Sequence, residues 1–80
     1  MTKLVSKRAA KALARLDAPT RRRIVEAIEK IPEGDIRPLR GTEDSYRLRV
    51  GDWRVLYSVQ NRDTILIEKV GPRGDVYKEV

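Results

Sequence analysis

Apolar and polar residues alternate along the middle of the chain, from residue 46 to residue 57, in the manner of two adjacent β-strands. Gly51 and Asp52 interrupt the alternation, and a two-residue loop of this kind joins the strands of a tight hairpin. Because glycine adopts positive φ without steric cost, Gly51 suits the first central position of a type II′ turn. The length of the loop also sets the register, since each residue before it must face its counterpart after it.

This register divides the hairpin into an apolar face and a basic face. The apolar face consists of Tyr46, Leu48, Val50, Trp53, Val55 and Tyr57. The basic face carries Arg47, Arg49 and Arg54, and it places Arg49 directly opposite Arg54. Like charges in that position destabilise a sheet. Such an arrangement indicates a face that binds a polyanion, and the alternative is an ordinary solvated sheet face.

Two short helices are predicted before the hairpin. Ser6 suits an N-cap position, and apolar residues at helical spacing predict a first helix that continues to about Leu16. Pro19 suits the first turn of a second helix, and Pro32 ends it. The second helix has an apolar stripe of Ile24, Val25, Ile28 and Ile31.

A loop and a third strand complete the predicted order. Residues 32–45 contain two prolines and two glycines and predict a linking loop, whereas the β-branched residues of 64–70 predict a strand. Helices that cover one face of an antiparallel sheet form an α+β layer architecture. We therefore expect an N-terminal helical hairpin packed on the apolar face of a small antiparallel β-sheet. A four-residue turn at 60–63 would add Lys69 to the basic face, opposite Arg54.

Composition restricts the compartment and the partners of the protein. Eighty residues are expected to form a single domain over residues 1–80. The 18 lysines and arginines exceed the 12 acidic residues, and a net charge of +6 predicts contact with a polyanion, most often nucleic acid. Charge alone leaves a surface that is merely basic as an equal alternative. The chain has no cysteine or histidine, so disulfides and the usual proton shuttle near pH 7 are excluded. Basic residues interrupt every N-terminal apolar stretch, so we expect a cytoplasmic protein that does not bind membranes.

One face of the first predicted helix carries a stripe of positive charge. Lys7, Lys11 and Arg15 recur at every fourth residue, an arrangement that weakens an isolated helix. The stripe is either an RNA-binding surface or an ordinary solvated helix face.

The hairpin and its flanking residues resemble the RelE/ParE toxin superfamily, and the RelE branch in particular. The resemblance rests on Leu39-Arg40-Gly41, on residues 46–57, on Val70-Gly71 followed by Arg73, and on Val76-Tyr77; with the two helices it extends over essentially the whole chain. It implies the RelE-like microbial RNase toxin fold and a toxin of a type II toxin–antitoxin system. The implied activity is ribosome-dependent cleavage of mRNA in the A site, which inhibits translation. The alternative is a ParE-like toxin that inhibits DNA gyrase without enzymatic activity.

The resemblance implies a set of catalytic residues: Arg47, Arg49, Arg54, Arg73 and Tyr77. In the implied reaction the RNA 2′-hydroxyl attacks the adjacent phosphate, so DNA is not a substrate. Clustered guanidinium groups would bind the phosphorane oxygens, and neither a metal nor another cofactor is expected. Family members often carry lysine at the positions of Arg47 and Arg49.

Proton transfer is assigned less directly, because an arginine with a pKa above about 12 is a poor general base. The phenol of Tyr77 is the remaining titratable candidate for orienting or deprotonating the 2′-hydroxyl. Arg73 would face the leaving oxygen. The alternatives are a packed aromatic side chain for Tyr77 and an ordinary loop cation for Arg73.

The resemblance also implies partners. A cognate RelB-like antitoxin would neutralise the basic face, and operator DNA would be contacted only indirectly, through the antitoxin. The ribosome, at its A site and rRNA, and the mRNA would be the targets. The candidate RNA-binding residues are Lys7, Lys11, Arg15 and Lys69.

Overall fold

The computed structural model describes residues 1–72, which form two helices and five strands. In chain order these are β1 (Thr2–Val5), α1 (Lys7–Ala14), α2 (Ala18–Glu29), β2 (Asp35–Pro38), β3 (Ser45–Val50), β4 (Trp53–Asn61) and β5 (Thr64–Pro72). The strands form one sheet in the order β1-β5-β4-β3-β2. The α+β class predicted from the sequence is confirmed.

Side-chain caps define the start of each helix. The Ser6 hydroxyl accepts a hydrogen bond from the Ala9 N–H at 3.0 Å and donates one to the Glu68 carbonyl at 2.9 Å, so it also ties α1 to β5. Asp17 caps α2 by accepting a bond from the Thr20 N–H at 3.2 Å. Hydrogen bonding from the side chain and then the backbone of Thr20 lowers the pKa of the Asp17 carboxyl.

Both helices pack on the same face of the sheet, which is the apolar face predicted for the hairpin. The buried core contains Ala9, Ile24, Ile28, Ile31, Leu48, Val55, Tyr57, Ile65, Ile67 and Val70. Tyr46 and Trp53 pack against this core, and the rings of Tyr46 and Tyr57 stack with centroids 5.5 Å apart. Burial, with a smaller contribution from Tyr46, raises the pKa of Tyr57. The aromatic residues of the hairpin therefore serve the core, as expected.

The sheet is larger than predicted, and it is mixed. β1 pairs in parallel with β5, with Thr2 beside Thr64, whereas the other neighbouring strands are antiparallel. The segment 32–45 contains β2, which pairs with β3, although the sequence predicts only a loop there. β2 is four residues long and directs a single apolar side chain, Ile36, at the core. A strand this short has too few alternating positions to be distinguished from a loop by pattern alone.

The hairpin register is confirmed, and the register of the next strand is corrected. Arg49 pairs with Arg54, and Gly51 has a φ of +59° in the intervening turn. The turn between β4 and β5 is two residues rather than four, since Asn61 pairs with Thr64. An irregularity between Val59 and Asn61 then leaves one extra residue on β4, and a second between Leu56 and Tyr57 leaves one extra residue on β5.

The extra residue on β5 is Glu68, because Leu56 pairs with Lys69 whereas Tyr57 pairs with Ile67. Lys69 therefore lies opposite Leu56. The predicted four-residue turn would have placed it opposite Arg54. Lys69 nevertheless stays on the basic side of the sheet, since residues paired across strands point to the same face.

Candidate nucleic-acid interface

The face of the sheet opposite the helices carries most of the charged side chains of β2, β3 and β4. Side chains alternate along a strand, so those next to the buried Leu48 and Val55 must point away from the core. Their partners on β2 and β5 point the same way. We call this surface the arginine face, and it consists of Asp35, Arg37, Arg47, Arg49, Arg54, Leu56 and Lys69.

The register arranges these residues in two rows across four strands. The first row is Arg37, Arg47, Leu56 and Lys69. The second row is Asp35, Arg49, Arg54 and Gly71. Neighbouring strands are about 4.8 Å apart, so each row spans roughly 14 Å. The rows bring together cations that are up to 32 positions apart in the sequence, Arg37 and Lys69.

Arg37 is a member of the face that the sequence analysis missed. It is exposed and lies directly opposite Arg47, so the face contains two cross-strand arginine pairs instead of one. The signal was present but short: Asp35-Ile36-Arg37 places an apolar residue between two charged ones, as its partner strand does around Leu48.

Positive charge on the face greatly exceeds negative charge. Arg47 is largely covered, and its Nη2 lies 3.7 Å from Oδ1 of Asp35, whose side chain is half exposed. Within residues 1–72, neither Arg37 nor Arg49 forms an ion pair. Adjacent guanidinium groups without acidic partners raise the local positive potential, and this favours binding of an anion.

Arg54 is buried, unlike its neighbour Arg49. It is 7% exposed, and its Nη1 donates hydrogen bonds to the carbonyls of Gly51 at 3.1 Å and Trp53 at 3.0 Å. These bonds join the side chain to the hairpin turn and to the strand that follows it. Arg54 therefore holds the turn in place and contributes a buried positive charge to the second row.

The structure does not bring the helical stripe onto the arginine face. Lys7, Lys11 and Arg15 are exposed, but α1 packs on the opposite side of the sheet through Ala9. Of the four candidate RNA-binding residues, Lys69 alone lies on the arginine face.

Arg73 and Tyr77 lie outside the described residues. β5 ends at Pro72, which pairs with Trp53, and Gly71 pairs with Arg54. The last described residues of the chain therefore adjoin the second row.

The described part of the face is suited to binding phosphate groups. Arginine presents a planar set of donors that matches phosphate oxygens, and the bonds are strengthened by charge. Residues 1–72 contain no group of three or more acidic, histidine or cysteine side chains that could hold a metal ion. In the same part of the chain, no helix is long and apolar enough to cross a membrane.

Comparisons by sequence and by structure place the chain in one superfamily, through a ParE family model and through RelE structures. Residues 4–77 match the family described as the ParE toxin of type II toxin–antitoxin systems, parDE. Among curated protein sequences, none matches this chain.

Several solved structures resemble the fold closely. The RelB–RelE antitoxin–toxin complex of Methanococcus jannaschii matches with a TM-score of 0.77 and 30% identity, over 95% of this chain and 96% of that one. The archaeal RelE–RelB complex of Pyrococcus horikoshii OT3 matches with a TM-score of 0.74 and 37% identity, over 92% and 96%. The isolated E. coli RelE toxin has a TM-score of 0.68 at 24% identity, over 98% and 92%, and shows the shared fold.

Fold and sequence together define the class of protein, a toxin of a type II toxin–antitoxin system. The family match covers nearly the whole chain, so the protein belongs to the RelE/ParE toxin superfamily, and its structure belongs to the RelE-type branch. The resemblance identified from the hairpin residues is confirmed.

Proposed function

We propose that this protein is a ribosome-dependent endoribonuclease that cleaves mRNA in the A site and thereby inhibits translation. The observation that carries the proposal is the arginine face, where Arg37 and Arg49 form no ion pair within residues 1–72 and each lies opposite another arginine. Such pairs oppose folding, and binding of a phosphate chain offsets their repulsion. Similarity to RelE toxins supports RNA as the ligand whose phosphates bind to the face.

The proposed reaction is an internal transfer of the phosphate. The 2′-hydroxyl loses its proton as its oxygen forms a bond to phosphorus, the bond from phosphorus to the 5′-oxygen breaks, and the leaving oxygen takes up a proton. The products end in a 2′,3′-cyclic phosphate and a 5′-hydroxyl. Arg47 and Arg49 contact the oxygens of the phosphorane, where charge develops, while Arg54 holds the hairpin turn beneath them.

Two further roles in the proposal fall to residues outside the described part. Tyr77 orients or deprotonates the 2′-hydroxyl, and Arg73 stabilises the leaving oxygen. Since arginine is a poor proton acceptor, the chemistry depends strongly on positioning of the substrate, which the ribosome supplies. Lys69 contacts mRNA beside the first row, and Lys7, Lys11 and Arg15 contact rRNA from the helical side.

The proposed cellular partner is a RelB-like antitoxin, as in the similar complexes from M. jannaschii and P. horikoshii. Its acidic groups neutralise the arginine face, and operator DNA is contacted only through the antitoxin. The protein acts in the cytoplasm as a single domain over residues 1–80.

Inhibition of DNA gyrase is the second candidate function, because the matched family is described by its ParE members. Such a toxin binds its target protein and needs no RNA chemistry. Substitutions on the arginine face would then affect toxicity only as far as they alter that contact.

Primer extension on a reporter mRNA after brief induction separates the two functions. The endoribonuclease produces cuts within codons, and these cuts disappear when translation initiation is blocked. The matched variants are Arg49→Gln on the arginine face and Arg62→Gln in the turn between β4 and β5. Cuts should be lost in the first and kept in the second. Growth arrest with intact mRNA would refute the endoribonuclease, and a gyrase cleavage assay would then test the alternative.

A further inference from the structure

A pocket of about 210 Å³ lies on the outer side of the sheet, immediately beside the first row of the arginine face. Leu56 of β4 and Leu39, from the segment between β2 and β3, supply its apolar lining. The polar and charged groups around that lining come from Arg8, Thr42, Ser45, Glu68 and Lys69, so the rim carries two cations and one carboxylate. The pocket thus combines an apolar interior with a polar rim, the usual composition of a small-ligand site.

The register links the pocket to the cations of the face. Leu56 lies between Arg47 on β3 and Lys69 on β5, both directly opposite it. A group resting on Leu56 would therefore have a cation on each side at the spacing of neighbouring strands, about 4.8 Å. This juxtaposition suits a flat apolar group that is covalently attached to a phosphate.

Two hydroxyl groups line the same pocket. The Ser45 hydroxyl forms no hydrogen bond with any described residue and is available as a donor and an acceptor. The Thr42 hydroxyl donates to the Leu39 carbonyl at 2.9 Å, which orients its oxygen and leaves that oxygen able to accept a bond. Groups of this kind can distinguish one base edge from another, since each base presents a different set of donors and acceptors.

We propose that this pocket binds one nucleobase of the RNA, with the adjoining phosphate held by Arg47 and Lys69. This inference rests on the proposed function for the identity of its ligand. Leu39 and Leu56 contact the faces of the base, and Ser45 bonds to its edge. The volume is smaller than the roughly 300 Å³ at which pockets for drug-sized ligands begin, and it suits a single base. The pocket is therefore a determinant of which codons are cleaved.

Nucleotide binding to the isolated full-length chain tests the pocket without requiring cleavage. We expect the methyl resonances of Leu39 and Leu56 to shift when nucleoside 5′-monophosphates are added, with affinities that differ between bases. Ribose 5-phosphate has the phosphate but no base, and it should perturb Arg47 and Lys69 but not the methyl groups of the two leucines. If the two compounds produce the same changes at both leucines, the inference is wrong.

A pair of serine variants supplies a matched test of base discrimination. Ser45→Ala removes the hydroxyl in the pocket, whereas Ser58→Ala removes that of its directly paired neighbour on β4, which does not line the pocket. Loss of one hydrogen bond should reduce the preference among bases by about three- to tenfold in Ser45→Ala and leave Ser58→Ala unchanged. Equal preferences in both variants would overturn the assignment.

A pocket-filling variant provides a second test, which does not depend on Ser45. Leu39→Trp should abolish the base-dependent shift of Leu56 while binding of ribose 5-phosphate persists, and persistence of that shift would refute the inference. Base binding without mRNA cleavage would retain the pocket and refute the endoribonuclease. Cleavage of mRNA without base binding would support the endoribonuclease and refute the base pocket. If a partner protein protects the pocket and nucleotides have no effect on it, the pocket is a binding site for that protein and the inference is wrong.

Discussion

Replacement of Asp35 by asparagine should weaken the fold and strengthen RNA binding. Asp35 is the one acidic residue in the two rows of the arginine face. It lies opposite Arg49, and its Oδ1 is 3.7 Å from Nη2 of Arg47. The carboxylate therefore reduces repulsion among arginines in the folded state, but it also repels an incoming phosphate.

The size of each effect follows from the exposure of the groups. The Asp35 side chain is 51% exposed and that of Arg47 is 14% exposed, so the ion pair contributes about 0.2–1 kcal/mol. The cross-strand interaction with Arg49 contributes a similar amount. Together they predict a loss of roughly 1 kcal/mol, or a decrease in Tm of about 4–8 °C for a domain of this size. Removal of the repulsion should increase RNA affinity by about two- to fivefold.

Urea unfolding measures the first effect, and fluorescence anisotropy with a labelled 2′-O-methyl oligonucleotide measures the second. The methylated RNA lacks the attacking hydroxyl, so binding is separated from cleavage. Asp63→Asn is the matched control, because it removes the same charge from the turn between β4 and β5, at the far end of the strands. It should change neither quantity measurably.

Two results would contradict this reasoning. A stability equal to that of Asp63→Asn would show that Asp35 does not offset repulsion on the arginine face. Weaker RNA binding by Asp35→Asn would show that its main contribution is to orient Arg47 toward the phosphate.

Four further predictions concern single side chains. Arg37→Gln should reduce the slope of log affinity for RNA against log salt concentration by about 0.7, the value for one phosphate contact on a single strand. Arg62→Gln is the control and should leave the slope unchanged. An unchanged slope in Arg37→Gln as well would show that Arg37 does not contact the RNA. Arg54→Lys keeps the charge but loses the fork that bonds to the turn, so urea unfolding should show a loss of about 1–3 kcal/mol, and unaltered stability would contradict the positioning role. Ser6→Ala should lower stability by about 1–2 kcal/mol in the same assay, because both the α1 cap and the bond to β5 are lost; a change near zero would argue against that link. Folding lowers the pKa of Asp17, so its carboxylate stabilises the fold above its ordinary pKa of 3.8, and this stabilisation is lost as pH falls through the lower pKa of the folded state. The difference in unfolding free energy between the protein and Asp17→Ala should therefore narrow below that pH. A difference that stays constant with pH would contradict the role of Asp17 as a cap.

Features that depend on neighbouring residues were predicted correctly from the sequence. The hairpin follows from the alternation of residues 46–57 and from Gly51, whose positive φ the turn requires. The start of the first helix follows from Ser6, whose side chain bonds to an N–H three residues later, and that of the second from Pro19 in its first turn. Interactions over so few residues leave a readable pattern, so the shared face of the three hairpin arginines could also be predicted.

The composition of the complete face depended on contacts between distant segments. Arg37 joined it because a four-residue strand pairs with β3, and Lys69 took its position from the two-residue turn, since the two irregularities between β4 and β5 offset each other. The burial of Arg54 and the pocket over Leu56 likewise depend on which segments pack together. A bulge or a short strand changes little in the local pattern but shifts every side chain beyond it, and for that reason only the tertiary structure decided which cations surround the proposed RNA.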